Sequence, residues 1–184
     1  CVYDFQPEDF DLDDDRRFDY NAMENSDEWL YVSTNVYTIS KDSDGNATAK
    51  GDLVWRVKLD DLTDGDCRLS SGYEWVYDDD SQSARLVDGA GSTMYWASHE
   101  SRGSTIRIWK LADSSTTWSS HVETLTTWSA SGYTCKVTDA DKHNPCADND
   151  SRITAGWLSG DELGFLWSAG SGGAERQQGD EATG

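Results

Sequence analysis

Glu28-Trp-Leu-Tyr-Val-Ser-Thr34 runs, after a polar insert, into Gly51-Asp-Leu-Val-Trp-Arg-Val-Lys-Leu59. Two later stretches read alike. Ser92-Thr-Met-Tyr-Trp-Ala-Ser98 leads into Ser104-Thr-Ile-Arg-Ile-Trp-Lys-Leu111, and Arg152-Ile-Thr-Ala-Gly-Trp-Leu158 leads into Leu163-Gly-Phe-Leu-Trp167. Each is a strand, a turn and a second strand carrying a Trp. In the first, Trp29, Tyr31 and Ser33 face one way while Leu30 and Val32 face the other. In its return strand Leu53, Trp55, Val57 and Leu59 share a face, opposite Val54, Arg56 and Lys58. In the second return strand Ile106, Ile108 and Lys110 oppose Arg107, Trp109 and Leu111. Side chains alternate between the two faces of a strand, so this period-two pattern of aromatic and β-branched residues predicts strands. The unit recurs after about 60 residues, which marks a repeat architecture.

The remaining sequence agrees. No segment keeps apolar residues at helical spacing over three turns. Asp42-Ser-Asp-Gly45, Asp64-Gly65 and Asp88-Gly89 read as turns, because Asp bonds back to its own backbone and Gly supplies positive φ. Short strands are expected at Tyr73 to Tyr77, Ala84 to Val87, Thr117-Trp118 and Val122 to Trp128. The class is all-β. Residues 1–27 read as an acidic arm, docked by Phe5, Phe10, Phe18 and Tyr20. Residues 28–169 carry the repeats, divided at about 28–80, 84–128 and 129–169, and 170–184 read as a disordered tail.

Leu53-Val-Trp-Arg-Val-Lys-Leu-Asp-Asp-Leu62 and Thr105-Ile-Arg-Ile-Trp-Lys-Leu-Ala112 resemble β-propeller blade strands, which follow an inner strand like Trp29-Leu-Tyr-Val-Ser33 or Met94-Tyr-Trp-Ala97. The resemblance covers roughly residues 28–169 and is one of blade rhythm. It is loosely sialidase-like. The sialidase-like blade turn is Ser-x-Asp-x-Gly-x-x-Trp, from which Ser40-Lys-Asp-Ser-Asp-Gly45 departs in spacing, and no arginine cluster matches that family's carboxylate site. Sialidase activity is therefore not carried over. The resemblance implies a propeller, or part of one, of about three four-stranded antiparallel blades. A closed propeller needs at least four blades. The chain is accordingly expected to be part of a larger protein; rings closed by further copies, or a β-sandwich, are the alternatives.

The 184 residues suffice for one domain with a sizeable core. Only 36% are apolar, but nine Trp and eight Tyr compensate with large rings. The net charge of −20 repels phosphate backbones and anionic membrane surfaces, so a basic nucleic-acid face is excluded. No apolar run is long enough to span a membrane. Of the four cysteines, Cys135 and Cys146 bracket a polar loop that a local bridge would staple, and by elimination Cys1 pairs with Cys67. Disulfides imply an extracellular or cell-surface location.

No catalytic signature is present. Glu28, Glu74, Glu100 and Glu162 sit at strand ends or turns, and a glycoside hydrolase or lyase would draw its carboxylate pair from such positions. Solvated turn charge is the ordinary explanation. His99, His121 and His143 fall in separate turns or loops, where a surface His is the ordinary reading. Calcium is the candidate cofactor. Asp139, Asp141, Asp148 and Asp150 cluster hard oxygen ligands in the bracketed loop, and Asp42 to Asn46 is a weaker candidate. Trp96, Trp118, Trp128 and Trp157 are the candidate ligand-binding rings, since flat rings stack on sugar faces, whereas Trp55, Trp109 and Trp167 read as core. The expected function is a binding module for a glycan or protein ligand; a hydrolase and a structural subunit of a surface assembly are the alternatives.

Overall fold

The structure, a computed structural model, describes residues 1–99, 105–125 and 153–167. A short 3-10 helix, Pro7–Phe10, opens the chain. The first sheet is a four-stranded antiparallel meander of β1 (Arg16–Asn25), β2 (Trp29–Lys41), β3 (Ala47–Lys58) and β4 (Tyr73–Asp78). The second repeats that order with β5 (Gln82–Leu86), β6 (Thr93–His99), β7 (Thr105–Ala112) and β8 (Ser119–Thr124). β9 (Ile153–Ser159) and β10 (Glu162–Trp167) form a separate antiparallel hairpin. The all-β class is therefore confirmed, and the three Trp-bearing hairpins occupy three different sheets. No closed ring forms among the described residues, and a sandwich of two sheets is also compatible with this arrangement.

The alternation read from the sequence sets the layers. Trp29, Tyr31 and Val54 of the first sheet pack against Leu86, Met94, Trp96 and Leu111 of the second. Burying a large apolar side chain in this way contributes about 1.5–3 kcal/mol relative to leaving it in water. The opposite face of the first sheet buries Val36, Leu53 and Trp55 beneath Phe10, with Phe5, Phe18 and Tyr73 around them. The far face of the second sheet, through Ala97 and Ile106, receives Ile153, Phe165 and Trp167 of the β9–β10 hairpin. The backbone of Asp88 bonds to Gly156 and Leu158, tying the end of β5 to β9.

Several local features differ from expectation. Residues 16–25, read as part of an arm, form the edge strand β1. Its exposed positions, Arg17, Tyr20, Asn21, Met23 and Asn25, mix polar and apolar residues and hide its strand character, while Phe18 points into the core. Tyr20, expected to dock the arm, is exposed at an irregularity in the β1–β2 register, where its φ is 58°. The β3 strand ends at Lys58, and Leu59–Thr63 forms one α-helical turn, α1. Asp60 and Asp61 in its first turn suit the helix dipole. Asp61 also accepts bonds from the Ser70 hydroxyl (2.5 Å) and the Ser71 N–H (2.8 Å), holding the following loop. These bonds lower its pKa. The Cys1–Cys67 disulfide joins that loop to the chain's first residue, as expected by elimination. Residues 170–184 and the Cys135–Cys146 loop lie outside the described residues.

Candidate functional site

An open cleft of about 580 Å³ lies along the rim of the two four-stranded sheets. It is lined by Trp75, Tyr77 and Asp78 of β4, Asp79 and Asp80 beyond it, Arg107 and Trp109 of β7, and Trp118 of the β7–β8 turn. Strand alternation explains this composition. β4 is an edge strand with every residue half-buried: Tyr73, Trp75 and Tyr77 share one face, Val76 and Asp78 the other, and both faces meet at the strand's free edge. β7 presents Arg107 and Trp109 on the side that faces the first sheet, while Ile106 and Ile108 point to the hairpin.

The polar groups are ordered. Asp78 Oδ1 accepts the Asp80 N–H at 3.0 Å, an Asx turn that gathers the acids. The carboxylate oxygens of Asp78, Asp79 and Asp80 can lie within 4.8 Å of one another. Arg107 Nε stands 3.9 Å from Asp78 Oδ2, its Nη1 donates to Ser120 Oγ at 3.3 Å, and its Cζ lies 5.5 Å from the Trp109 ring centroid. Tyr77 donates its hydroxyl to the Lys50 carbonyl, so its ring is fixed. Trp109 is fixed from below by Trp96, nearly parallel at 6° with centroids 5.9 Å apart. The arrangement is a rigid aromatic wall beside a strip of carboxylates and one guanidinium. It suits a ligand with apolar faces and many hydroxyls, because rings cover such faces and charged groups bond the hydroxyls strongly.

Two buried networks support this rim. Arg56, 1% exposed, donates through Nε and Nη2 to Glu74 Oε2 (2.9 and 2.6 Å) and through Nη1 to the Tyr31 hydroxyl (3.0 Å). It also reaches the Ala112 and Ser115 carbonyls of the second sheet. Burial raises the Tyr31 phenol pKa despite the bond from Arg56. Asp52, 3% exposed, accepts the Ser83 and Ala84 N–H groups (both 2.7 Å) and the Ser81 hydroxyl (3.1 Å). Burial pushes its carboxyl up to about 6 against those stabilising bonds. The φ of 63° at Ser83 belongs to the same clamp, which fixes the chain as it crosses between sheets.

The rings singled out from sequence separate. Trp118 lines the cleft. Trp96 does not face a ligand: it is 2% exposed, because residues at alternate positions of β6 face the other sheet. Trp157 is 45% exposed on the hairpin, over Gly164, and does not line the cleft. Trp128, Glu100, His143, Cys135, Cys146 and the proposed metal ligands Asp139, Asp141, Asp148 and Asp150 lie outside the described residues. Asp42 uses Oδ1 to accept the Asp44 and Asn46 N–H groups, which makes it a turn residue. Of the turn carboxylates, Glu74 is held by Arg56, Glu28 is exposed 3.9 Å from Lys58, and Glu162 is exposed at the start of β10. His99 is buried, edge-on to Trp167, rather than in a surface turn, whereas His121 is exposed beside Glu123 at 2.8 Å. Trp75, Tyr77 and Arg107 line the cleft but were not singled out from the sequence. The only signal was the density of rings beside Asp78-Asp-Asp80.

Among the described residues no helix is long and apolar enough to cross a membrane. No family model matches the chain, and neither a curated protein nor a solved structure does.

Proposed function

We propose that this chain is a binding module of the β-propeller kind, acting outside the cytoplasm, whose rim cleft takes a glycan. The observation that carries the reading is the cleft itself: Trp75, Tyr77, Trp109 and Trp118 beside Asp78, Asp79, Asp80 and Arg107. Rings held rigidly by packing lose little entropy on binding, which favours stacking against a sugar face. The blade reading is supported by the two sequential four-stranded meanders, each built on one Trp hairpin, with a third hairpin packed on the second. The Cys1–Cys67 bridge between exposed residues fits an oxidising compartment. Catalysis draws no support from Glu74, since Arg56 already holds its carboxylate.

A glycan array probed with the full chain in calcium-containing buffer tests the reading. Retention of a defined set of sugars is expected. A folded chain that retains none would overturn it, and a protein ligand would then be the class to pursue.

A further inference from the structure

Just inside the cleft, between the two sheets, is a small, partly open cavity of about 10 Å³ whose polar wall is Asp52, Asp78, Ser81 and Ser98, the rest being apolar. That is room for one particle the size of a water or a metal ion. Asp52 and Asp78 are direct partners in the β3–β4 register, so two carboxylates project from one face, where like charges repel. Ser98, on β6 of the other sheet, is fully buried, and its hydroxyl has no hydrogen-bond partner. An unsatisfied hydroxyl at such a depth is costly and points to a ligand. Asp78 also belongs to the surface cluster with Asp79 and Asp80. The group thus sets four carboxylates against the single guanidinium of Arg107.

We propose that this pocket is a Ca²⁺ site in which Asp78 joins the buried side, with Ser98, to the open side, with Asp79 and Asp80. The donors are all hard oxygens, the set that calcium prefers, with no sulfur or imidazole among them. The ion satisfies the Ser98 hydroxyl and offsets the repulsion between Asp52 and Asp78. It also ties β4 of the first sheet to β6 of the second, immediately under the aromatic wall. The site shares Asp78 with the cleft but is independent of any sugar, so it is tested without one.

Chelator-stripped full chain is titrated with calcium chloride and followed by thermal melting and Trp fluorescence; Trp96 and Trp109 line the same cavity. Calcium is expected to raise the melting temperature by several degrees. Asp80→Asn, at an exposed position that folding tolerates, is expected to weaken the apparent calcium affinity by about tenfold or more. Ser98→Val should reduce the shift, while Asp14→Asn, an exposed acid on another part of the chain, should leave it as in the wild type. Two outcomes overturn the proposal. One is a wild-type chain whose melting calcium does not move. The other is a shift of equal size and midpoint in Asp80→Asn, Ser98→Val and wild type, which would place the ion elsewhere or in the diffuse atmosphere of a chain with charge −20.

Discussion

The guanidinium of Arg56 lies on the Trp29 ring, Cζ to centroid 3.9 Å, while its nitrogens bond to Glu74 of the same sheet and to carbonyls of the next. One buried cation therefore links a ring, a carboxylate and two sheets. Removing one partner of such a network leaves the others unsatisfied, and the fork geometry of Arg cannot be reproduced by Lys.

Arg56→Ala is expected to lower the unfolding free energy by about 3 kcal/mol or more, since the charge is fully buried although Glu74 is partly exposed. Arg56→Lys should recover only part of that loss. Denaturant midpoints of the two variants check this. A Lys variant as stable as wild type would show that charge alone matters.

Asp52 makes stability depend on pH in a stated direction. Burial pushes its carboxyl up to about 6 in the folded chain, above the ordinary 3.8. Between those values the folded state holds the proton more tightly, so stability falls as pH rises through that window. The expected drop is on the order of 2–3 kcal/mol. Asp61, whose pKa is lowered, adds a slope of the opposite sign, so the difference between wild type and Asp52→Asn isolates the residue. In chelator-treated buffer the variant should be less stable at low pH, because its amide NH2 must face either the Ser83 or the Ala84 N–H group, and should show a shallower slope. Urea midpoints from about pH 4 to 7 measure it. Parallel profiles would contradict the assignment.

Gly51 has a φ of 129°, and an added Cβ would strike the Asp78 carbonyl. Gly51→Ala is therefore expected to push β4 from β3 at the position that feeds both the cleft and the cavity. Loss of calcium-dependent melting together with lowered stability is the expected result, read by thermal scans with and without calcium. Unchanged melting in both conditions would show that the strand pair yields without cost.

The Cys1–Cys67 bridge closes a sequence separation of 66 residues. Chain-entropy reasoning sets its contribution at up to about 4 kcal/mol. Reduction should lower the melting temperature without unfolding the chain, because Phe5 and Phe10 remain packed on Trp55 and Tyr73. Thermal scans with and without reductant check this, and a scan unchanged by reductant would contradict it.

The layers were legible because strand alternation carries them. Trp29 and Tyr31 against Val32, Leu53 and Trp55 against Val54, and Ile106 against Leu111 all fall on the faces read from period two. Strand β1 was not legible: an edge strand whose charges fall on half-buried as well as exposed positions offers alternation only through Phe18 and a few small residues. The clamp at Asp52 and the network at Arg56 were not legible either. Both residues alternate with apolar neighbours as surface charges would, and only the approach of a second sheet buries them. The same limit applied to the cleft. Trp118 stood out in a polar stretch, but Trp109 read as core, Trp75 read only as part of a short strand, and Trp96, read as a ligand-binding ring, is core. Pairing between sheets, which the period does not encode, decides which rings reach water.

The central claim is that rings on the sheet rim bind sugar, and one measurement tests it most directly. The glycan retained best on the array is titrated by calorimetry into wild type, Trp118→Ala and Trp157→Ala, all with unchanged melting. The account predicts that Trp118→Ala weakens binding by at least about tenfold while Trp157→Ala, outside the cleft, leaves it unaltered. Equal affinity in wild type and Trp118→Ala, or loss only in Trp157→Ala, would contradict it.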